Sequence, residues 1–480
     1  MSCYTAFISW PSAPLTESLV RKALLSLPSP FEAVSSPPQT FRKLLQWATY
    51  DDINHELTHA SEHPVLSSSY IIRKALIRKH FLARCIHSYL VKHEAPMLRA
   101  AVPRTWDLEI SFADELDDMW ADDLWDLAQE MNSVEQGRGR RGKWWILKPG
   151  MADRGMGIRL FDSKEALVRI FEGFEEEEEE DEGWESEGKG EGRDDDTAVV
   201  TSQLRHFVIQ VIPQYNLEYV STPLLLDPYQ VLLNGSTSRP FDKLQGHKFH
   251  LRAYCVAHGA LKVYLYTRIL ALFSSKPYSV PEESSCNGGR GGSTVDLAPH
   301  LTNTSLQTHR GEEGVRLFDE LMGCHILSCP NGGSTIDDDE EDRPVLTAMH
   351  LLKIQDQMAD VLAETFKAAL ETPVHFQPLP NAFELYGIDF LVSHGPASPL
   401  LSEPNFQVKL LEINAEPAIE LTGPRLTWIL EDLFVAMGKV CVEPFVRDTP
   451  SGSHESWQVG ETRHFLRKCL DSEVRGAGGW

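Results

Sequence analysis

The chain has 480 residues, 42% of them hydrophobic and 9% aromatic, and a formal net charge of −25. That length accommodates roughly two to four domains of about 100–200 residues, and that composition builds a sizeable core. The charge argues against nucleic acid as the partner of the whole chain, and no apolar run approaches the roughly 20 residues that cross a bilayer.

The first residues, MSCYTAFISWPSAPL, read as a strand over YTAFISW and lack the positive flank and long apolar core of a signal peptide. The eight cysteines include no CxxC pair, which fits a reducing, cytoplasmic setting. Cys324, His325 and Cys329 are neighbours, but their spacing matches no standard zinc pattern, and plain thiols are the favoured reading. Ser69 to His93 carries a helical stripe (Ile72, Leu76, Ile77, Leu82, Ile86, Leu90) and reads as one helix or two broken ones. Arg73, Lys74, Arg78, Lys79, Arg84 and Lys92 lie in it with no acid, so in this acidic chain it reads as a positive surface, or as an ordinary solvated face.

Residues 106–142 form an acidic connecting segment with Trp106, Trp120 and Trp125. Lys143 to Pro149 (KWWILKP) is a short apolar strand ending at a lysine. It runs into KPGMADRGMGI, where Gly155 and Gly157 bracket a turn. Glycines let backbone N–H groups approach a phosphate, and Lys148 adds charge. The spacing is neither that of a P-loop nor that of a dinucleotide fingerprint. After the amphipathic SKEALVRIFEGF, residues 175–196 hold fourteen acids and two bases; with DDDEED at 337–342 they account for 18 of the 25 excess negative charges. Such tracts are expected to self-repel and stay disordered.

Arg205 to Ile212 reads as a buried strand, and His247–Val256 and Leu261–Tyr266 as paired strands turning at HG. Residues 276–298 and 328–343 are loops, and Val345–Leu370 is an amphipathic helix. Phe383–Val392 and Val408–Ile413 are strands, and Pro424–Val442 is a second helix. The mixture, with antiparallel hairpins near the end, defines an α+β class.

Period two places Glu412 and Asn414 of KLLEINAEP on one strand face and Leu411 and Ile413 on the other. Asp389 interrupts the apolar strand FELYGIDFLV, and a buried carboxylate must pair or hold a metal. Asp389, Glu412 and Asn414 together are hard oxygen ligands suited to Mg²⁺ on a nucleotide. In GHKFHLRAYC, Lys248, His250 and Arg252 share a strand face, with Arg268 on the strand that follows. Converging positive groups are what phosphoryl transfer needs.

In this order, KPGMADRGMGI, FVIQ, TPLLL, GHKFHLR, YLYTRILALFSSKPY, HLTN, FELYGIDFLV and LLEINAEP resemble the tubulin–tyrosine ligase family, in a fungal-like form. The resemblance implies an ATP-grasp-like fold with mixed and antiparallel sheets. It divides the chain into an N-terminal α/β substrate-side domain (1–105), the connecting segment (106–142), a central subdomain (143–212, with the insertion 175–196), a C-terminal subdomain (213–446, with insertions near 228–245, 279–298 and 328–343) and a tail (447–480). Lys148 would hold the α/β-phosphates under a loop with Arg154, Gly155 and Gly157. Gln210, or Glu218 and Tyr219, would sit near the adenine. Lys248, Arg252 and Arg268 would face the transferred phosphate, His300 and Asn303 would shape the acceptor site, and Asp389, Glu412 and Asn414 would bind magnesium. The implied reaction uses ATP and Mg²⁺ to join a free amino acid, tyrosine first among candidates, to a protein carboxylate such as the acidic tubulin tail. It would pass through an acylphosphate, and the basic segment would steer the tail. The chain departs from the family's KFDxR in having His250 at the middle position. A catalytically impaired interaction or scaffold protein is the alternative, and nucleic-acid binding comes last.

Overall fold

The computed structural model describes residues 4–60, 64–135, 143–151, 155–184, 205–211, 224–227, 244–279, 281, 295–302, 313–328, 343–395, 404–447 and 457–472. Strands β1 (Tyr4–Ser9), β2 (Phe31–Val34), β3 (Leu44–Ala48) and β4 (Val65–Ser67) form a parallel sheet of order β2-β1-β3-β4. Helix α1 (Pro14–Leu25) crosses from β1 to β2, and α2 (His55–Ala60) from β3 to β4. This is the α/β domain expected at the N-terminus. The basic segment resolves into two helices, α3 (Lys74–Ile77) and α4 (Lys79–Lys92), followed by α5 (Pro96–Ala101).

The second sheet is antiparallel: β5 (Thr105–Glu109), β6 (Trp145–Pro149), β7 (Arg159–Phe161) and β8 (His206–Val211), in the order β5-β8-β6-β7. Helices α6 (Leu116–Met119), α7 (Trp125–Glu135) and α8 (Lys164–Trp184) belong to this layer, and Trp106, Leu127, Met131, Trp145, Phe171 and Phe207 share its core. Two expectations are corrected here. The segment 106–142 is no connector: β5 is a strand of the central sheet and α7 covers its core. The acidic tract is helical at its start, since α8 continues to Trp184. Glutamate is a good helix former and no breaker stands between Gly173, which the helix absorbs, and Gly183, so the amphipathic turns propagate into the tract. Residues 185–196 lie outside the described residues.

The third sheet has eight strands: β10 (His247–His258), β11 (Lys262–Tyr266), β12 (Leu270–Pro277), β13 (Val315–Leu317), β15 (Phe383–His394), β16 (Phe406–Ala415), β17 (Thr462–Arg463) and β18 (Leu466–Asp471). Beside it β9 (Leu226–Asp227) and β14 (His325–Ile326) make a small pair. Alternation along β10 sends Leu251, Ala253, Cys255 and Ala257 to the core under α9 (Ala348–Leu370). It sends Tyr254 and Val256 to the core under α10 (Thr427–Met437), which leads on to α11 (Glu443–Val446). A capping box between Thr347 and His350 starts α9. The expected tail is a further correction, because β18 pairs with β11 and extends the main sheet. Its pairing is non-local, so no local pattern announces it. Among the described residues no helix is long and apolar enough to cross a membrane.

Candidate active site

Register builds the centre of the site. Arg252 on β10 lies opposite Asp389 on β15, Asp389 lies opposite Glu412 on β16, and Asn414 lies opposite Gly387. Directly opposed residues point to one face, so three strands place a guanidinium, two carboxylates and an amide in one row. Arg252 grips Asp389 in a fork: Nε donates to Oδ1 at 2.5 Å and Nη2 to Oδ2 at 2.9 Å. The Asn414 amide nitrogen donates to Asp389 Oδ2 at 3.4 Å and to Glu412 Oε1 at 3.3 Å, standing between the carboxylates. Burial pushes the Asp389 carboxyl up, but Arg252 and His250 outweigh it and hold the group well below the usual range. Glu412 is likewise raised by burial but lowered overall, with Lys79 the main opposing influence.

The donor set of two carboxylates and an amide oxygen suits a hard divalent ion. Among the described residues no three His, Cys, Asp or Glu side chains converge into a ready-made cluster. An ion held here would therefore need oxygens from elsewhere, as phosphate supplies them.

Gly387 makes room for this row. A Cβ there would stand 2.7 Å from Pro417 Cβ and 3.6 Å from Arg252 Cδ. Gly387→Ala is expected to cost about 1–3 kcal/mol by overpacking and to displace the loop after Asn414. A urea titration of the variant checks this, and an unchanged midpoint would mean that the Pro417 loop yields freely.

The cationic wall comes from two sheets. Lys148 on β6 donates to Gln210 Oε1 on β8 at 2.9 Å, and the Gln210 amide donates to Thr105 Oγ1 on β5 at 3.2 Å. Lys248 on β10 donates to the His300 carbonyl at 3.0 Å. Burial pushes both ammonium groups down to about 8; Lys79 lowers Lys148 further, and Lys148 lowers Lys248. Buried ammonium groups whose charge is disfavoured in this way are suited to an anionic partner. His250 is buried on the same face, with Nδ1 2.5 Å from Thr302 Oγ1 and Nε2 3.4 Å from Asp389 Oδ1. Gly155 and Gly157 both have positive φ, 78° and 70°, as a turn open to a ligand's backbone contacts requires.

Other residues stand elsewhere. Arg268 is not on a strand; it sits in the break between β11 and β12, paired with Asp432 and flanked by Trp428 and Phe465 at 4.4 and 3.9 Å. Arg154, Glu218, Tyr219 and Asn303 lie outside the described residues. The basic segment is not one continuous surface, because Arg73 is buried against Glu384 and Lys79 reaches Glu412 Oε2 at 3.2 Å. Lys79 is thus part of the site, brought in by the start of α4, whose Lys79 amide donates to the Gly150 carbonyl at 3.1 Å. Nothing local distinguishes it from its neighbours; only the fold selects it. The loop after β16 is anchored to the N-terminal domain by two carboxylates. Glu416 accepts from the Tyr50 amide at 2.9 Å, and Glu420 from the Thr16 amide at 3.0 Å at the start of α1.

Lys148 from the central sheet, close to Asp389 and Glu412, and Lys248 on the same β10 face as Arg252 bring cations from two sheets to one carboxylate–amide row, an arrangement of the ATP-grasp type. The C-terminal domain of Kluyveromyces lactis Pby1, described as an ATP-grasp enzyme interacting with the mRNA decapping enzyme Dcp2, is a structural neighbour. Its TM-score is 0.59 at 27% identity, over 98% of this chain and 99% of that one. The tubulin–tyrosine ligase family model matches residues 69–449, and the chain belongs to that family. A "probable tubulin–tyrosine ligase", PBY1 of Saccharomyces cerevisiae, is 34% identical over 85% of this chain but only 46% of its own length. A protein of the same description from Schizosaccharomyces pombe is 33% identical over 86% of this chain and 85% of its own length.

Proposed function

We propose that this protein is a cytoplasmic ATP-dependent carboxylate–amine ligase that joins an amino acid, tyrosine first among candidates, to a protein carboxylate such as the acidic tubulin tail. The reading is carried by the Arg252–Asp389–Glu412 row, with Lys248 on its own sheet face and Lys148 brought to it from the central sheet. Lys148 and the Gly155–Gly157 turn hold the α/β-phosphates, with Gln210 toward the adenine and Arg154, Glu218, Tyr219 and Asn303 as further nucleotide or acceptor contacts. Asp389, Glu412 and Asn414 hold Mg²⁺, which neutralises phosphate charge when bound.

An acceptor carboxylate oxygen attacks the γ-phosphorus, the bond to the β-phosphate oxygen breaks, and ADP leaves. The amine then attacks the acyl carbon, loses its proton and expels inorganic phosphate, forming the amide. Lys248 and Arg252 carry the charge on phosphate and acceptor; no protein nucleophile is needed.

The test is incubation with Mg–ATP, tubulin lacking its terminal tyrosine, and labelled Tyr, Glu or Gly in turn. One label is expected to enter, and Glu412→Gln to reduce its entry at least about a hundredfold, a loss of the size seen when a transition-state charge partner is removed. Equal incorporation by the variant would remove Glu412 from the chemistry.

A second reading is an interaction protein that keeps the fold and binds ATP without ligation. It is favoured by the neighbour's described contact with a decapping enzyme. Bound ATP with no incorporation of any label would support it.

A further inference from the structure

Lys148 begins a one-way chain of hydrogen bonds that crosses three strands of the central sheet. Thr105 on β5 and Ile146 on β6 lie opposite Gln210 of β8 from either side, and Lys148 is two residues past Ile146, so Thr105, Gln210 and Lys148 share a face. Trp106, Trp145, Leu147, Phe207 and Ile209 take the other face into the core. Lys148 Nζ donates to Gln210 Oε1 at 2.9 Å, Gln210 Nε2 donates to Thr105 Oγ1 at 3.2 Å, and the Thr105 hydroxyl donates to the Pro103 carbonyl at 2.9 Å. The direction is fixed at both ends, because an ammonium can only donate and a carbonyl can only accept. Turning the Gln210 amide over would set its N–H groups against the ammonium and draw the Thr105 proton away from Pro103. Pro103 is itself held, between α5, whose Leu98 and Ala101 lie in the core under α9, and β5, whose Trp106 and Leu108 lie in the core of the central sheet.

From this we infer that Thr105 is a positioning residue for nucleotide binding: its hydroxyl locks the Gln210 amide so that Oε1 holds the Lys148 ammonium in place for the phosphates. The inference rests on the ATP-ligase reading and adds to it a residue that acts through two others. Fixing a long lysine side chain costs rotamer entropy. With the ammonium already held, that cost falls on folding and not on ATP binding. Gln210 takes one of the three N–H groups of the ammonium and leaves two for phosphate oxygens. Without the hydroxyl, Gln210 Nε2 loses its partner and the amide its lock, since the terminal torsion of glutamine is broad and two-fold. An inverted amide then turns N–H groups toward Lys148 and releases it.

The experiment makes Thr105→Val, which keeps the shape and removes the hydroxyl, and Thr105→Ser, which keeps the hydroxyl, in the full chain; Thr105→Ala replaces the first if it does not fold. Calorimetry with Mg–ATP is expected to show Kd raised about three- to tenfold by Thr105→Val, the loss of one neutral hydrogen bond, and restored by Thr105→Ser. In a Lys148→Met background the same substitution is expected to change Kd by a factor near one, because the two residues act as a unit. A factor that persists there, a factor below about three in the wild-type background, or a serine variant as weak as the valine one would each overturn the inference while leaving the nucleotide site standing. A second readout needs no nucleotide. Brief acetylation of the free protein with acetic anhydride, read by mass spectrometry as Lys148 against the exposed Lys22, is expected to rise at least about twofold in Thr105→Val, and an unchanged ratio would also overturn the inference. Failure of the wild-type chain to bind ATP would overturn the ligase reading, and the acetylation ratio would then decide by itself whether Thr105 holds Lys148.

Discussion

Arg73→Met is expected to destabilise the fold by about 3–5 kcal/mol, because it strips a buried carboxylate of its counter-charge. Arg73 pairs with Glu384 on β15, and both are almost fully buried. Glu384 also accepts from the Tyr386 hydroxyl at 2.7 Å and from the Tyr70 amide at 3.2 Å. The Arg73 guanidinium covers the Tyr50 ring at 4.1 Å, and the Tyr70 hydroxyl donates to the Gly259 carbonyl at 2.9 Å. This cluster fastens the segment leading into α3 to the main sheet, so its loss reaches Lys79 as well. Burial already raises the Glu384 carboxyl, and Arg73 is the main influence holding it down. Without Arg73 it binds a proton more tightly in the folded chain than in the unfolded one. The native state then holds more protons, and stability falls as pH rises. The deficit should therefore be larger at pH 8 than at pH 5.5. Urea unfolding followed by tryptophan fluorescence at both pH values checks it. A loss under about 1 kcal/mol at pH 8, or one independent of pH, would show that water reaches Glu384 freely. Pairing Arg73→Met with Glu384→Leu should recover most of the loss, since apolar replacement of both partners removes the stranded charge.

Much of the site could be read in the sequence because it lies on strands whose alternation is strict. Glu412 with Asn414, and Lys248 with Arg252, share faces by period two alone, and Asp389 stands out as a carboxylate inside an apolar run. Glu384, five residues earlier, is a second such interruption and could have announced a buried partner. It falls on the opposite sheet face, toward α9. The partners themselves were not legible. Arg73 and Lys79 look identical to Lys74 and Arg78 in a basic stretch, and only contacts more than 300 residues away separate buried latch from site lysine from surface charge. For the same reason β5 and β18 escaped notice as sheet members, since each pairs with a strand distant in sequence. The acidic run beyond Phe174 misled in the other direction. Charge density suggested disorder, while helix propensity and an established helical start carry α8 on to Trp184.

ATP binding is expected to take up protons and to weaken as pH rises above about 8, the value to which burial lowers both Lys148 and Lys248. In the free protein each lysine is half neutral at that pH. A triphosphate between them favours the charged form and raises both values. Between the free and bound values the complex holds more protons than its components, so affinity must fall with pH there, by up to about a hundredfold per unit if both lysines respond fully. The stability of the free protein runs the other way. An unfolded lysine titrates near 10.4, so from about 8 to that value the unfolded chain binds more protons and folding becomes more favourable as pH rises. Opposite slopes for affinity and stability over one pH range distinguish this from general alkaline unfolding, which would lower both together. Calorimetry at pH 8.5 in buffers of different ionisation enthalpy measures the protons directly. Lys248→Met should reduce the uptake by about half, and Lys148→Met likewise, with each raising Kd at least about tenfold as one charge-assisted contact to phosphate is lost. No net uptake at pH 8.5 would mean that the triphosphate does not lie between these two lysines. The phosphate-facing wall of the cleft would then have to be sought around Lys79 and Arg252 instead.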